Sequence, residues 1–543
     1  MAMTDHEDHA DDPTGAADLA IGSFSDDPPW IVEPDAMSWR HAEPILRDLT
    51  RRQVPRLLAP RGIPPLGRMV SVVGRFGWAL ASWKAVEARS DDRSRSRSGL
   101  SRRMRLAIEA LGPTFIKLAQ IISSGEGLFP DELVDEFKKC RDQVPPERFS
   151  AIRQVIESEL GQPLDAVFSH IDPEPLAAAS IAQVHAAVLR TGETVVVKVQ
   201  RPSVQLRVLA DIEVMAWLAP HLVGRIPVTA LANPPALVEL FAQTITEELD
   251  FRLEAENMLD VARSFAELGQ RGYVIPRPHP HLVTERVLVM ERLDGFAFDD
   301  IVGMRDAGID TEAIVRTGMI GFMEGAMLHG LFHGDLHGGN LFVLEDGRTA
   351  LLDFGITGRM DDVRRQAFLR LLLAASMNNI TGQLAALRDL GALPPDTDLK
   401  AVIADLGLDR APLDPTALTP EELIHEIQAV VKGLLAYGAR MPKELMLFVK
   451  NLVFLDGAIS RLAPDLDLFA EITHIATYFA TTHGETIARE IGVDPRAVDL
   501  DLSGVKAGFG VDPSEVESLT YRDLQERREL IRQRFSRRGT EAR

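Results

Sequence analysis

The sequence predicts an α+β chain of two lobes, with a helical extension in front of both. The first lobe is small and mixed, built on an antiparallel sheet, and the second is large and helical. Three observations predict this. Short β-branched runs bounded by turn residues concentrate between about residues 180 and 290. Every segment from Val363 to about Ile491 carries the apolar period of a helix. Between these regions, a buried helical pattern over Thr311–His329 runs into a glycine-rich turn and then a hairpin. Strands gathered early and helices gathered late fold as adjoining units rather than as alternating βα repeats.

Taken in order, residues 1–36 are acidic, rich in Asp, Gly and Pro, and contain no Lys or Arg. Such a segment is expected to be disordered, because it buries too little apolar surface to offset its ordering entropy. From Arg40 to Arg105 basic residues predominate. RSRSRS (Arg93–Ser98) reads as a solvated linker. Joined to the apolar-basic run Arg68–Lys84, it alternatively fits a helix lying on an anionic lipid surface. Helical patterns follow from Met104 and again up to about Leu160. Residues 182–189 and 195–200 read as two strands about a turn at Thr191–Gly192, and Val287–Met290 as a third. Leu341–Phe354 reads as a hairpin turning at Asp346–Gly347. A charged helix over about Ser514–Arg534 closes the chain. The resulting division is a tail (1–36), a basic helical region (37–104), a helical extension (105–165), the mixed lobe with a helical insert (166–292), the helical lobe (293–500) and a charged tail (501–543).

Composition excludes several functions. The 543 residues are 45% hydrophobic, enough for a substantial core, and carry a formal charge of −21. That charge argues against nucleic acid as a partner, since phosphate binding requires a basic surface. One cysteine, Cys140, permits no intrachain disulfide, and with no signal peptide in view a cytoplasmic location is expected. Met69–Trp83 is interrupted by Arg75, and Leu445–Ile459 by Lys450 and Asp456. Both fall short of the roughly 20 apolar residues of a membrane span. The apolar stripe of Ala439–Leu462 reads as core packing.

The chemistry sits in HGDLHGGN (His333–Asn340) and LLDFG (Leu351–Gly355). Asp335 and Asn340 share a turn after a buried helix, and Asp353 ends a hairpin strand. A kinase catalytic loop has this H-x-D-x-x-x-x-N form, and its metal-binding aspartate stands in D-F-G on the next hairpin. Phosphoryl transfer needs one carboxylate to orient the nucleophile, and a second carboxylate with an amide oxygen to hold Mg²⁺, a hard cation that takes oxygen ligands. Upstream, VVVK places Lys198 on a strand, within reach of the phosphates of ATP, and Glu254 is the carboxylate that would keep a buried ammonium charged. MERLDG (Met290–Gly295), with Glu291 and Leu293, follows a strand as the linker between kinase lobes would and is expected to meet the nucleotide. No G-x-G-x-x-G is present; the alanine-rich loop Ala177, Ala178, Ala179 and Ser180 stands in its place, stiffer because alanine resists positive φ.

These motifs, together with LGPTFIKLAQ (Leu111–Gln120), VVVKVQRP and EELDFRLEAEN (Glu247–Asn257), resemble in order the UbiB/AarF atypical kinase family over about residues 105–460. The resemblance implies a bilobal protein-kinase-like fold and ATP binding with Mg²⁺. It further implies ATPase or phosphotransferase activity, and a role in quinone or isoprenoid-lipid metabolism. The family's K-x-G-Q motif is matched by Lys117 and Gln120, with alanine for glycine, on an extension that folds over the active site and disfavours protein acceptors. Its E-x-D motif is matched by Glu248 and Asp250, and its D-x-H-P-G-N loop has Gly338 in place of proline. A lipid or quinone precursor, a peripheral membrane surface, and a protein partner or second copy are the partners it brings into view. Conventional protein kinase activity and a nucleotide-regulated scaffold without catalysis are the rival readings. His329, His333 and His337 recur at helical spacing, but the intervening glycines argue against a zinc-binding helix. His333 is expected to brace the catalytic loop.

Overall fold

A computed structural model describes residues 23–33, 36–37, 39–40, 43–59, 64–87, 93–123, 130–140, 144–222, 234–377, 379–408, 430, 433–440, 442–492 and 518–526. The extension comprises α1 (Glu43–Leu58), α2 (Leu66–Val86), α3 (Arg93–Leu111), α4 (Pro113–Ser123), α5 (Asp131–Phe137), α6 (Phe149–Leu160) and the single turn α7 (Leu164–Val167). RSRSRS is therefore not a linker but the opening of α3. Arginine is a good helix former, and the indole of Trp83 donates to Ser96 O at 2.9 Å, tying α3 to α2. The helical pattern expected from Met104 accordingly begins earlier, at Arg93.

The mixed lobe contains β1 (Phe168–Ile171), β2 (Ala177–Ala178), β3 (Ala182–Leu189), β4 (Thr194–Gln200), then α8 (Val204–Leu222), α9 (Pro234–Glu248), α10 (Phe251–Glu267), β5 (Tyr273–Val274), β6 (Pro278–Val283) and β7 (Val287–Glu291). Its antiparallel sheet runs β1-β3-β4-β7-β6, with β2 on the β3 flank. The three expected strands are present, with Lys198 opposite Val184 and Leu288. Period-2 alternation decides which way Lys198 points. Val195, Val197 and Val199 pack on Ile152, Val155 and Ile156 of α6, so Lys198 takes the other face, toward α10. Asp250 caps α10 by accepting from Arg252 N.

The helical lobe contains β8 (Phe296–Ala297), α11 (Ile301–Asp306), α12 (Thr311–Glu324), β9 (Leu331–His333), β10 (Leu341–Val343), β11 (Thr349–Leu351), β12 (Thr357–Arg359), α13 (Asp362–Ser376), α14 (Ile380–Asp389), α15 (Leu399–Leu406), α16 (Lys443–Leu462), α17 (Leu468–Thr482) and α18 (Gly484–Ile491). The buried helix ends in a π turn over Gly325–His329, and Gly330, at φ 63°, reverses the chain into β9. A Cβ at Gly330 would meet Met360 O at 2.6 Å, so only glycine fits. The expected hairpin is β10–β11, paired Leu341 to Leu351 and turning at Gly347. It is flanked by the two-residue strands β5 and β8.

The acidic tail departs from expectation where it is described. Phe24 and Val32 are buried, and the indole of Trp30 donates to Pro278 O at 3.1 Å. Three apolar anchors thus hold a segment whose composition is otherwise that of a disordered chain; residues 1–22 lie outside the described residues. Of the closing charged helix, only 518–526 is described, and Leu519, Tyr521 and Leu524 are buried there. Basic residues of the 37–104 region turn inward: Arg68 pairs with the buried Asp211, and Arg40 with Glu256 at 3.1 Å. One side of α2 nevertheless exposes Leu66, Val70, Val73 and Trp78. Among the described residues no helix is long and apolar enough to cross a membrane. A cavity of about 170 Å³ lies among α2, α3, α4, α5, α8 and α9, and its lining is apolar throughout, which suits no nucleotide.

Candidate functional site

The polar cluster forms where β4, α10 and the segment after β11 converge. Lys198 Nζ lies 2.7 Å from Glu254 Oε1 and 3.0 Å from Asp353 Oδ1. It also stands 5.3 Å from the ring centroid of Phe251, the first residue of α10. Burial disfavours the Lys198 ammonium, but Asp353 and Glu254 outweigh burial and raise its pKa. Glu254 moves upward as well: burial pushes it up, Lys198 draws it down, and Asp353 pushes it up again.

Asp353 is the only non-glycine residue at positive φ among the described residues, at 58°. Such a conformation in an L-residue is a local strain of the kind that gathers at functional sites. It places the carboxylate on Lys198 and lets Gly355 N donate to Oδ1 at 3.3 Å. Its surroundings tend to raise this carboxyl, but Lys198 and then Lys117 hold it down at about 2. The side chain is 47% exposed, so water screens part of that effect.

The catalytic-loop candidate is braced as expected. Asp335 N donates to His333 Nδ1 at 3.1 Å, so Nε2 carries the proton and donates to Leu352 O at 3.0 Å. The ring also packs edge-on against Phe354, 5.0 Å between centroids. Asn340 Nδ2 donates to Asp335 O at 3.0 Å, which leaves its amide oxygen as the group able to serve a cation. The three histidines stand on different elements: His329 ends the π turn, His333 lies on β9, and His337 caps a 3₁₀ turn by accepting from Gly339 N.

From the extension, α4 brings Lys117 Nζ to 3.0 Å from Glu248 Oε1 and 3.9 Å from Asp335 Oδ2. Gln120 follows one turn later on α4. Burial pushes the Glu248 carboxyl up, Lys117 opposes, Asp353 adds to the rise, and it reaches about 7. Asp335 goes the other way: burial would raise it, but Lys450, Lys117 and His337 together hold it well below the usual carboxylate range.

The remaining expected site residues lie outside this cluster. Asp250 does not join the cluster; it caps α10 and pairs with Arg252 at 2.7 Å. The Glu291 carboxylate is held by Ser25 and by the buried Arg277, at 3.4 Å, rather than by any cluster member. Leu293 is half-buried just beyond β7. The alanine-rich loop is a tight turn onto β3, with Ala179 N donating to Ala182 O at 2.9 Å.

Sequence reasoning missed the groups that hold these parts in place. Buried Arg201 donates from Nε to Ala179 O at 2.9 Å and from Nη2 to Val144 O and Pro145 O at 3.2 and 3.0 Å, fastening the alanine-rich turn to the extension. Asn451, fully buried on α16, accepts from Leu336 N at 3.0 Å and donates to His333 O. Its neighbour Lys450 pairs with Asp335 Oδ1. Lys450 was read only as an interruption of a candidate membrane span, and its neighbour Asn451, also set within the apolar run Leu445–Leu455, was not read at all.

Comparison with known proteins bears on the family of the chain. Residues 139–385 match the ABC1 atypical kinase-like domain. The protein Rv0647c of Mycobacterium tuberculosis is 36% identical over 378 residues, covering 68% of this chain and 76% of its own length. The chloroplastic aarF domain-containing protein kinase At5g05200 of Arabidopsis thaliana is 33% identical over 398 residues, 68% of this chain and 73% of that one. A probable protein kinase UbiB of Marinobacter nauticus is 32% identical over 375 residues, 68% of each.

Proposed function

Since the chain belongs to the ABC1/UbiB atypical kinase-like family, we propose that it binds ATP with Mg²⁺ at the Lys198 cluster and transfers the terminal phosphoryl group to water or to a small hydroxylated acceptor. The observation that carries this reading is the meeting of Lys198 with Glu254 and Asp353, groups 56 and 155 positions away in the chain, at 2.7 and 3.0 Å. Lys198, held by Glu254, would neutralise the α- and β-phosphates. Asp353 and the amide oxygen of Asn340 would hold the metal, and their oxygen donors suit Mg²⁺. When bound, Mg²⁺ would neutralise charge on the phosphates and fix their geometry. Asp335 would accept a hydrogen bond from the nucleophile and so align it. Such a set works by positioning and electrostatics, which dominate phosphoryl transfer. Lys117, lying 3.9 Å from Asp335, puts the extension where a peptide acceptor would have to lie, which favours water or a small molecule over a protein.

The family resemblance supports service to quinone or isoprenoid-lipid metabolism. The exposed Leu66, Val70, Val73 and Trp78 on α2, beside the basic α3, support attachment to an anionic membrane surface. The test is Mg²⁺-dependent ATP hydrolysis by the wild type and Asp353→Asn, each with and without anionic lipid vesicles. Loss of the metal-binding carboxylate is expected to lower turnover by about 10²-fold or more. Equal turnover in both proteins would refute the assignment.

A further inference from the structure

The catalytic loop His333–Asn340 contains no lysine or arginine. Kinase loops of the H-R-D form have an arginine directly before the aspartate; here that position is Gly334, whose amide donates to Ile356 O at 2.9 Å. A Cβ there would meet Ile356 at 2.7 Å, so no longer side chain fits. The cation beside Asp335 comes instead from a distant helix. Lys450 on α16 pairs with Asp335 Oδ1, and the next residue, Asn451, grips the loop backbone on both sides of the aspartate through Leu336 N and His333 O.

We infer that Lys450 is a positioning residue for Asp335, anchoring one carboxylate oxygen so that the other faces the nucleophile. This rests on the phosphoryl-transfer reading above. The two oxygens are used unequally: Oδ1 is taken by Lys450, while Oδ2 lies 3.9 Å from Lys117, beyond hydrogen-bond range. Oδ2 is therefore the oxygen left for a water or hydroxyl. The anchor is rigid. Phe448, one helical half-turn before Lys450, stacks on Phe322 of α12 at 5.1 Å and meets Phe332 of β9 at 6.0 Å. Lys443 at the helix start pairs with Glu247 at the end of α9, 2.6 Å away. Helix α16 thus fixes the aspartate relative to the helix that carries Glu248, and a site held by a packed helix is more precise than one held by a loop alone.

The test measures Mg²⁺-dependent ATP hydrolysis by the wild type, Lys450→Met, Lys450→Arg, Asp335→Asn and the Lys450→Met/Asp335→Asn double variant, with melting curves for each. Lys450→Met is expected to lower kcat by about tenfold or more while KM for ATP moves less than about threefold, and Lys450→Arg to recover part of the loss. The double variant is expected to match Asp335→Asn alone, because a residue acting through the aspartate has nothing left to position. Lys450→Gln is the second variant should the methionine chain not fold, and the same loss in kcat is expected. Wild-type kcat in a folded Lys450→Met or Lys450→Gln, or losses that multiply in the double variant, would overturn the inference and leave the phosphoryl-transfer reading standing. A wild type without Mg²⁺-dependent turnover, or full turnover in Asp335→Asn, would instead overturn that reading.

Discussion

Replacing Glu248 with glutamine should stabilise the protein at alkaline pH and not at acid pH. Glu248 is 9% exposed, faces Lys117 at 3.0 Å, and also feels the negative charges of Asp353 and Asp335. Burial and those two carboxylates outweigh the lysine, so its carboxyl rises from 4.5 to about 7 in the folded protein. An acid whose pKa rises on folding binds its proton more tightly in the native state. As pH climbs from 4.5 toward 7 the unfolded chain loses that proton first, so native stability falls through this window and is level above it. The displacement corresponds to about 3 kcal/mol. Glutamine has no proton to lose and abolishes the fall. The attraction of Lys117 is already contained in that value of about 7, so the pH dependence needs no separate correction for the ion pair. Urea unfolding of both proteins at pH 5 and pH 8 checks this, using the difference between the two pH values so that other titrating groups cancel. Glu248→Gln is expected to gain on the wild type by about 2–3 kcal/mol between those pH values. Parallel pH dependence in the two proteins, within about 0.5 kcal/mol, would show that Lys117 neutralises Glu248 fully and that the carboxylate is an ordinary ion-pair partner.

Two further substitutions probe the supports around the site. Arg201→Ala removes the donors to Val144 O, Pro145 O and Ala179 O; a destabilisation of about 3 kcal/mol is expected, with faster amide exchange at Ala179 as the local readout by hydrogen-exchange mass spectrometry. Asn451→Leu keeps the branched shape and heavy-atom count but leaves Leu336 N and His333 O without their partner; a loss of about 2–4 kcal/mol by urea unfolding is expected, with a fall in kcat larger than any change in KM for ATP.

How much of this was legible in the sequence depended on whether a feature was local. The strands at 182–189 and 195–200 were read correctly because a β-branched run and a glycine turn are local signals. The placement of Asp335, Asn340 and Asp353, on a turn after β9 and just past the β10–β11 hairpin, was legible because their spacing fits short, nearby elements. Arg201 and Lys450 were not, because their partners are distant: Arg201 reaches back to Val144, and Lys450 pairs with a residue 115 positions away. The acidic tail was misread where Phe24 and Trp30 find cavities built by residues some 250 positions later, Arg277 and Pro278 among them. Composition averages such anchors away. RSRSRS was misread because a helix built of polar residues lacks the apolar period on which the reading relied. The side-chain direction of Glu291 was likewise unreadable, since the arginine that captures it lies just before the neighbouring strand β6 rather than beside it in sequence.

The charges around Lys198 are not explained as stabilising contacts. Taking carboxylates and ammonium groups out of water costs several kcal/mol per ion, and an apolar replacement of equal volume is often as stable. Glu248 and Glu254 even rise toward neutrality, which means that their charged forms are disfavoured where they lie. Stability is supplied elsewhere, by the continuous apolar core that joins the extension, α8–α10 and α16. That core allows the cleft to hold four carboxylates against three lysines. The lysines come from three separate parts of the chain: Lys117 from the extension, Lys198 from the sheet and Lys450 from the helical lobe. An arrangement that needs all three bodies in register, and lowers stability in holding it, is what selection for chemistry would produce and selection for folding alone would not.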